Sequence, residues 1–254
     1  MTLPPLLPAA FLTRPIAHRA LHDKTAGRPE NSRAAVRAAV VAGYGIEIDV
    51  LPSADNVPMV FHDYTLGRLT GAAGTLGSKT VAELGAIRLL GGSEGIPTLA
   101  EVLQIVAGQV PLLIEVKDTD IPVGPRVGAL ERAVADCLAG YAGPVAVMSF
   151  NPHSVAALAR FAPDVPRGLV VGGPEDSTYT GLPPDRVIAL ADMVDFERVG
   201  ASFVSYDWEL LHRPAVLQLK QRGVPILCWA VRSAAQEATA RRIADTVTFD
   251  GYLA

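Results

Sequence analysis

The sequence predicts an α/β chain of the (β/α)8 TIM-barrel class, and three observations carry that expectation. Strand-like and helix-like segments alternate along the 254 residues, the mark of βαβ units and a parallel sheet. Pairing 58–62 with 45–50 as a hairpin leaves eight strands in the repeat, the number that closes a barrel. No G-x-G-x-x-G follows the first strand, which weakens the runner-up, an open doubly wound sheet. A single domain over 1–254 is expected, with a small insertion after the second strand.

Strands are expected at 15–18, 45–50, 58–62, 111–117, 144–149, 167–171, 202–206, 224–230 and 245–248. Each is a short apolar run rich in β-branched residues. Helices are expected at 31–42, 98–107, 125–139, 151–161, 184–194, 213–222 and 233–243. Asn31, Thr98 and Asn151 are candidate N-caps, and Glu101 completes a capping box with Thr98. Pro214 suits a first helical turn. Residues 64–97 break the rhythm; they are rich in glycine and offer one short helical patch near 80–85. An insertion looped over one barrel face is the expectation there.

Composition narrows the function classes. The chain is 50% hydrophobic and 19% charged with a net charge of −4, so the basic stripe of a nucleic-acid binder is missing. No apolar run is long enough for a membrane span, and no stable membrane insertion is expected. The stretch MTLPPLLPAAFLTRP is apolar but has no basic n-region and several prolines, unlike a signal peptide. Cys137 and Cys228 read as buried free thiols. A cytoplasmic protein is the default, and a homodimer is an open option for its assembly.

The charged positions on strands are more informative. Successive strand side chains face opposite ways. In GIEIDV, Ile46, Ile48 and Val50 should therefore face the helices, and Glu47 and Asp49 should point inward together. In LLIEVK, Leu113, Glu115 and Lys117 share a face, and in PMVFH Pro58, Val60 and His62 share one. Buried carboxylates are costly unless paired or coordinated. A hard divalent cation, Mg²⁺ or Ca²⁺, relieves the repulsion between Glu47 and Asp49, with Glu115 as a third oxygen ligand. The alternative is that each carboxylate pairs with an arginine or lysine. His18 and His62 both end strands, where side chains can move protons near neutral pH. Arg19 and Lys117 offer positive charge to an anionic oxygen. Carboxylates, histidines and cations together point to phosphoester hydrolysis.

These residues lie in an ordered set of motifs: His18-Arg19-Ala20, Pro29-Glu30-Asn31, Glu47-Ile48-Asp49-Val50, His62-Asp63 and Ile114-Glu115-Val116-Lys117. Ser149-Phe150, Trp229-Ala230-Val231 and a D-G-Y-like end follow in order. The set resembles the glycerophosphodiester phosphodiesterase family over nearly the whole chain. The resemblance implies a TIM barrel that cleaves a small-molecule glycerophosphodiester to glycerol phosphate and an alcohol. It also implies a metal on Glu47, Asp49 and Glu115, and an acid–base pair of His18 and His62. Arg19 and Lys117 would hold the phosphate, and the insertion at about 64–97 would cover the glycerol side. Trp229 and Trp208 could line the substrate path. Glu115 and Lys117 would then flank a metal and a phosphate rather than pair with each other.

Three departures stand out. Ala20 replaces the family's usual glycine, Asp55-Asn56 its usual Asp-Gly turn, and Arg232 a position where asparagine is common. Two rival functions remain: a related activity on a lysophospholipid or another phosphodiester, and a non-catalytic phosphodiester-binding barrel. The first would need an apolar groove, for which Leu84, Ile87, Leu89 and Leu90 are candidates unless they form the insertion's own core. His22 would rim the pocket or lie in a loop, and His153 would lie on a helix surface.

Overall fold

The computed structural model describes residues 4–254. The first three residues of the apolar N-terminal stretch lie outside it. Within the described residues the strands are β1 (Ile16–Ala17), β2 (Gly45–Pro52), β3 (Pro58–Val60), β4 (Leu112–Val116), β5 (Val145–Ser149), β6 (Arg167–Val171), β7 (Phe203–Asp207), β8 (Ile226–Val231) and β9 (Thr246–Phe249). Each falls where the sequence places it. Parallel pairing runs β1, β2, β4, β5, β6, β7, β8, β9 and returns to β1, so eight strands close a barrel. β3 pairs antiparallel with β2 outside the ring, as the hairpin reading requires.

The helices are α1 (Ala10–Thr13), α2 (Arg33–Ala42), α3 (Gly67–Thr70), α4 (Val81–Ala86), α5 (Leu99–Val106), α6 (Ala129–Leu138), α7 (Pro152–Phe161), α8 (Pro184–Ala191), α9 (Pro214–Gln221) and α10 (Ala234–Ala240). Thr98 and Glu101 form both bonds of the capping box at α5. The buried Leu99, Val102, Leu103 and Val106 of that helix recur every three or four residues, one apolar face toward the barrel. Asn151 caps α7 through His153 N. At α2 the cap is Ser32, whose Oγ accepts from Ala35 N at 3.1 Å. Asn31 sits one residue earlier with φ +58°, and its side chain is committed elsewhere, as shown below.

The apolar side chains sort by strand face as expected. Ile46, Ile48, Val50, Leu112, Ile114 and Val116 pack outward under the helices. Leu113 packs inward with Ala146, Phe203 and Leu227, and Leu7 and Phe11 join this inner cluster. Gly168 on β6 allows the filling: a Cβ there would lie 2.3 Å from the Phe203 ring. One expectation fails. Val60 and His62 do not share a face; Val60 belongs to the outer layer, whereas His62 lines a cavity at the barrel mouth. β3 ends at Val60, so the strand period no longer governs His62.

Residues 64–97, expected as an insertion, carry α3 and α4 between β3 and α5, and their apolar side chains are used internally. Leu66, Leu76, Leu84, Leu89 and Ile96 pack on Leu51, Met59 and Phe61, with Ile87 against them. Leu90 alone of the four groove candidates is exposed, at 44%. Leu84→Ala is therefore expected to cost about 2–5 kcal/mol of stability, and Leu90→Ala less than about 0.5 kcal/mol. Urea unfolding followed by circular dichroism checks both; equal losses would contradict the packing.

Candidate active site

Parallel barrel strands end together, and β2 and β4 bring three carboxylates to that end. Asp49 stands in register with Glu115, and Glu47 with Leu113. Glu47, Asp49 and Glu115 are all buried, and each offers an oxygen within 4.8 Å of the others'. At an effective dielectric near 20, two unit charges at that spacing repel by about 3 kcal/mol. Burial, with Asp49 and Glu115 beside it, pushes the Glu47 carboxyl well above the usual carboxylate range. Burial acts the same way on Asp49, but Lys117, His62 and Arg19 outweigh it and hold Asp49 low. The donor set is all oxygen, anionic and short of positive charge, so it fits a hard divalent cation.

Lys117 is closer to this cluster than the sequence suggests. Its Nζ lies 2.8 Å from Glu115 Oε1 and 3.6 Å from Asp49 Oδ1. The expectation that Glu115 and Lys117 need not pair is thus corrected: they touch directly, because neighbours two apart on one strand face lean the same way. The contact is an ion pair without hydrogen-bond alignment, since Glu115 Oε1 has no hydrogen-bond partner. It does not use up the cluster, because Glu47 has no lysine or arginine side chain within ion-pair distance among the described residues.

The turn after β1 sets the next two groups. Arg19 and Ala20 both take left-handed backbone, φ +54° and +66°. This reversal aims the Arg19 N–H at Glu47 Oε2, 2.9 Å away. Ala20 adopts the conformation a glycine would take more easily, and the chain holds it with Ala20 N bonded to Glu47 O at 3.0 Å. Arg19 Nη1 donates to Glu30 Oε1 at 2.7 Å, and its Nε lies 3.6 Å from Asp49. Asn31 Nδ2 donates to Asp49 Oδ2 at 2.9 Å. The P-E-N stretch therefore steers Arg19 through Glu30 and Asp49 through Asn31.

The two histidines face the same cavity, of about 630 Å³, which also meets Arg19, Lys117 and the three carboxylates. His62 Nδ1 lies 2.6 Å from Asp63 Oδ1. An ionised carboxylate only accepts, so Nδ1 carries the proton and Nε2 is left for the cavity. His18 is partly buried, and the loss of solvent lowers its pKa, although Asp250 works the other way. Asp250 lies 3.8 Å from His18 Nδ1 and 3.0 Å from His22 Nε2. His22 lies in the loop after β1 and does not line this cavity; it contacts Asp250 instead. His153 is half-buried on α7.

Across the cavity, Trp229 donates Nε1–H to Ser205 O at 3.1 Å and stands edge-on to Phe150 at 5.5 Å. Trp208 and Arg232 also line it. Asn56 takes φ +60°, the left-handed turn its position needs. All eight candidate residues, His18, Arg19, Glu47, Asp49, His62, Glu115, Lys117 and Trp229, thus meet at one cavity. Roles for Glu30, Asn31, Asp63, Arg68 and Asp250 are what the sequence left out. The motif spacing flags four of them; only Arg68 carries no signal.

A closed barrel thus gathers three carboxylates, two histidines, an arginine and a lysine at one mouth cavity. The glycerophosphoryl diester phosphodiesterase family model matches residues 18–250, and the chain belongs to that family. An uncharacterized protein of Mycobacterium tuberculosis is 32% identical over 182 residues, 66% of this chain and 56% of its own length. The chain thus spans about half the length of that curated relative. A crystal structure of a glycerophosphodiester phosphodiesterase from Parabacteroides distasonis shares 26% identity at a TM-score of 0.73, covering 92% of this chain and 91% of its own. A phosphodiesterase from Oleispira antarctica, solved with its product sn-glycerol-3-phosphate, matches in fold at a TM-score of 0.75 and 23% identity, over 94% of each chain.

The raised Glu47 carboxyl has a sign that can be measured. The folded state holds this proton more tightly than the unfolded chain, so stability falls as pH rises through the ordinary glutamate range toward the raised value. The depressed Asp49 acts oppositely and at lower pH. With chelator present, the wild-type Tm is expected to fall against that of Glu47→Gln as pH rises from about pH 4, the ordinary glutamate range. Parallel Tm profiles would rule out the repulsion.

Proposed function

We propose that this chain is a divalent-cation-dependent glycerophosphodiester phosphodiesterase releasing glycerol 3-phosphate and an alcohol. The convergence of three buried carboxylates, two histidines and two cationic side chains on one cavity carries the reading. Glu47, Asp49 and Glu115 would hold Mg²⁺ or Ca²⁺. Such an ion, when bound, acidifies the attacking oxygen and polarises the phosphoryl group.

The chain's own residues do the rest. Arg19, aimed by Glu30, and Lys117 stabilise charge on the non-bridging phosphate oxygens. His62, held by Asp63, takes the proton from the attacking hydroxyl, and the carboxylate steadies the imidazolium that forms. His18 gives a proton to the departing alkoxide. Trp229 and Phe150 wall the opposite side of the cavity. Family membership supports the chemistry, and the burial of Leu84 and Leu89 favours a water-soluble diester over a lysophospholipid. No helix among the described residues is long and apolar enough to cross a membrane, which is compatible with work on a soluble substrate in the cytoplasm.

Product analysis tests this directly. Glycerophosphocholine and glycerophosphoethanolamine should yield glycerol 3-phosphate, lysophosphatidylcholine should turn over poorly, and EDTA should stop the reaction until Mg²⁺ or Ca²⁺ is restored. His18→Ala and His62→Ala should each lower kcat by ~10²–10⁴ in folded protein. Undiminished turnover after exhaustive chelation, or near-normal kcat in both variants, would overturn the assignment.

A further inference from the structure

Arg68 lies in the insertion on α3, and its side chain is 48% exposed. An exposed arginine pairing with one carboxylate contributes little. Arg68 instead makes two bonds to each of two carboxylates. It reaches Asp63 through Nε (2.6 Å to Oδ2) and Nη2 (2.7 Å to Oδ1), and Glu30 through Nη1 (2.8 Å to Oε2) and Nη2 (2.9 Å to Oε1).

Both carboxylates already serve site residues, and through the same oxygens. Asp63 Oδ1 also accepts from His62 Nδ1, and Glu30 Oε1 also accepts from Arg19 Nη1. A single nitrogen, Arg68 Nη2, therefore touches both orienting oxygens. Without it two partly buried carboxylates would face each other with less positive charge between them and freedom to rotate. Arg68 stands between the insertion and the barrel, so this one guanidinium links the insertion's position to both His62 and Arg19.

We propose that Arg68 is a positioning residue that fixes His62 and Arg19 together, resting on the phosphodiesterase reading above. It touches no reacting atom. Its work is to hold Asp63 and Glu30 in the rotamers that set the His62 tautomer and the Arg19 fork. The planar fork is essential, since lysine cannot serve two carboxylates bidentately.

Steady-state kinetics on glycerophosphocholine test this, with Tm measured for every variant. Arg68→Ala should lower kcat by roughly 10- to 100-fold with KM changed less than about threefold, the scale of lost orientation. Arg68→Lys should recover part of that loss. Double-mutant cycles of Arg68→Ala with Asp63→Asn and with Glu30→Gln should be strongly non-additive in kcat. A merely structural anchor would lower Tm but leave kcat intact and both cycles additive, and that result would overturn the proposal. Should Arg68→Ala fail to fold, Arg68→Lys and Arg68→Gln carry the same comparison. A readout free of substrate is the ¹⁵N spectrum of the His62 ring: one Nδ1–H tautomer in the wild type, a mixture in the variant. An unchanged spectrum would also overturn the proposal. Wild-type protein that cleaves no glycerophosphodiester would sink the proposed function instead, and the ring spectrum would still decide the clamp.

Discussion

The mutual repulsion of Glu47, Asp49 and Glu115 is the constraint around which the rest of the mouth is built. Parallel register on β2 and β4 forces the carboxylates together, and burial leaves them little solvent to screen the charge. A fold gains nothing in stability from this arrangement. What surrounds the cluster answers it: Arg19 and Lys117 flank Asp49, Asn31 grips one of its oxygens, and the Arg19 amide holds Glu47. These contacts stabilise Asp49 far better than Glu47, which is why the two carboxyls shift in opposite directions. The uncompensated remainder sits on Glu47, where a cation would act most strongly.

Backbone strain serves the same end. Arg19 and Ala20 give up favourable backbone angles so that an amide and a guanidinium can both reach the carboxylates. Non-glycine residues in the left-handed region cost of order 1–3 kcal/mol each unless their surroundings hold them there. Here the holding contacts are bonds to Glu47, through its side chain and its carbonyl. Strain and repulsion therefore share a residue, and neither can be relaxed without disturbing the other.

The barrel was legible because period-2 and period-3.6 patterns report burial, and burial decides these elements. Ile46, Ile48 and Val50 show their face in the sequence; so do Leu99, Val102 and Leu103. The site was legible where charged residues interrupt such a pattern, as Glu47, Asp49 and Glu115 do. Legibility ended where the chain left regular structure. His62 lies two residues beyond Val60, the end of β3, so strand parity wrongly put it on the face of Val60. Asn31 reads as a cap by residue type, but Ser32 caps the helix and frees Asn31 for Asp49. The i, i+2 spacing puts Lys117 and Glu115 on one face, but whether they touch depends on side-chain rotamers that the spacing leaves open. Arg68 gives no warning at all, because joining Asp63 to Glu30 depends on a partner 38 residues away in the chain.

On the proposed phosphodiesterase reading, charge balance would separate substrate from product. Among the side chains nearest the cluster, three carboxylates oppose Arg19 and Lys117, leaving one negative charge in excess. A divalent cation would convert this to one positive charge, and a phosphodiester carries one negative charge to cancel it. The bound diester would thus complete a neutral site, which a low-dielectric cavity favours. A phosphomonoester has a second ionisation near pH 6 and carries about −1.5 to −2 at neutral pH. After cleavage the cavity would hold excess negative charge beside three carboxylates already short of compensation. On the proposed reading, the arrangement that attracts the diester would then be the one that expels the monoester, and turnover and the repulsion at Glu47 would have a common origin.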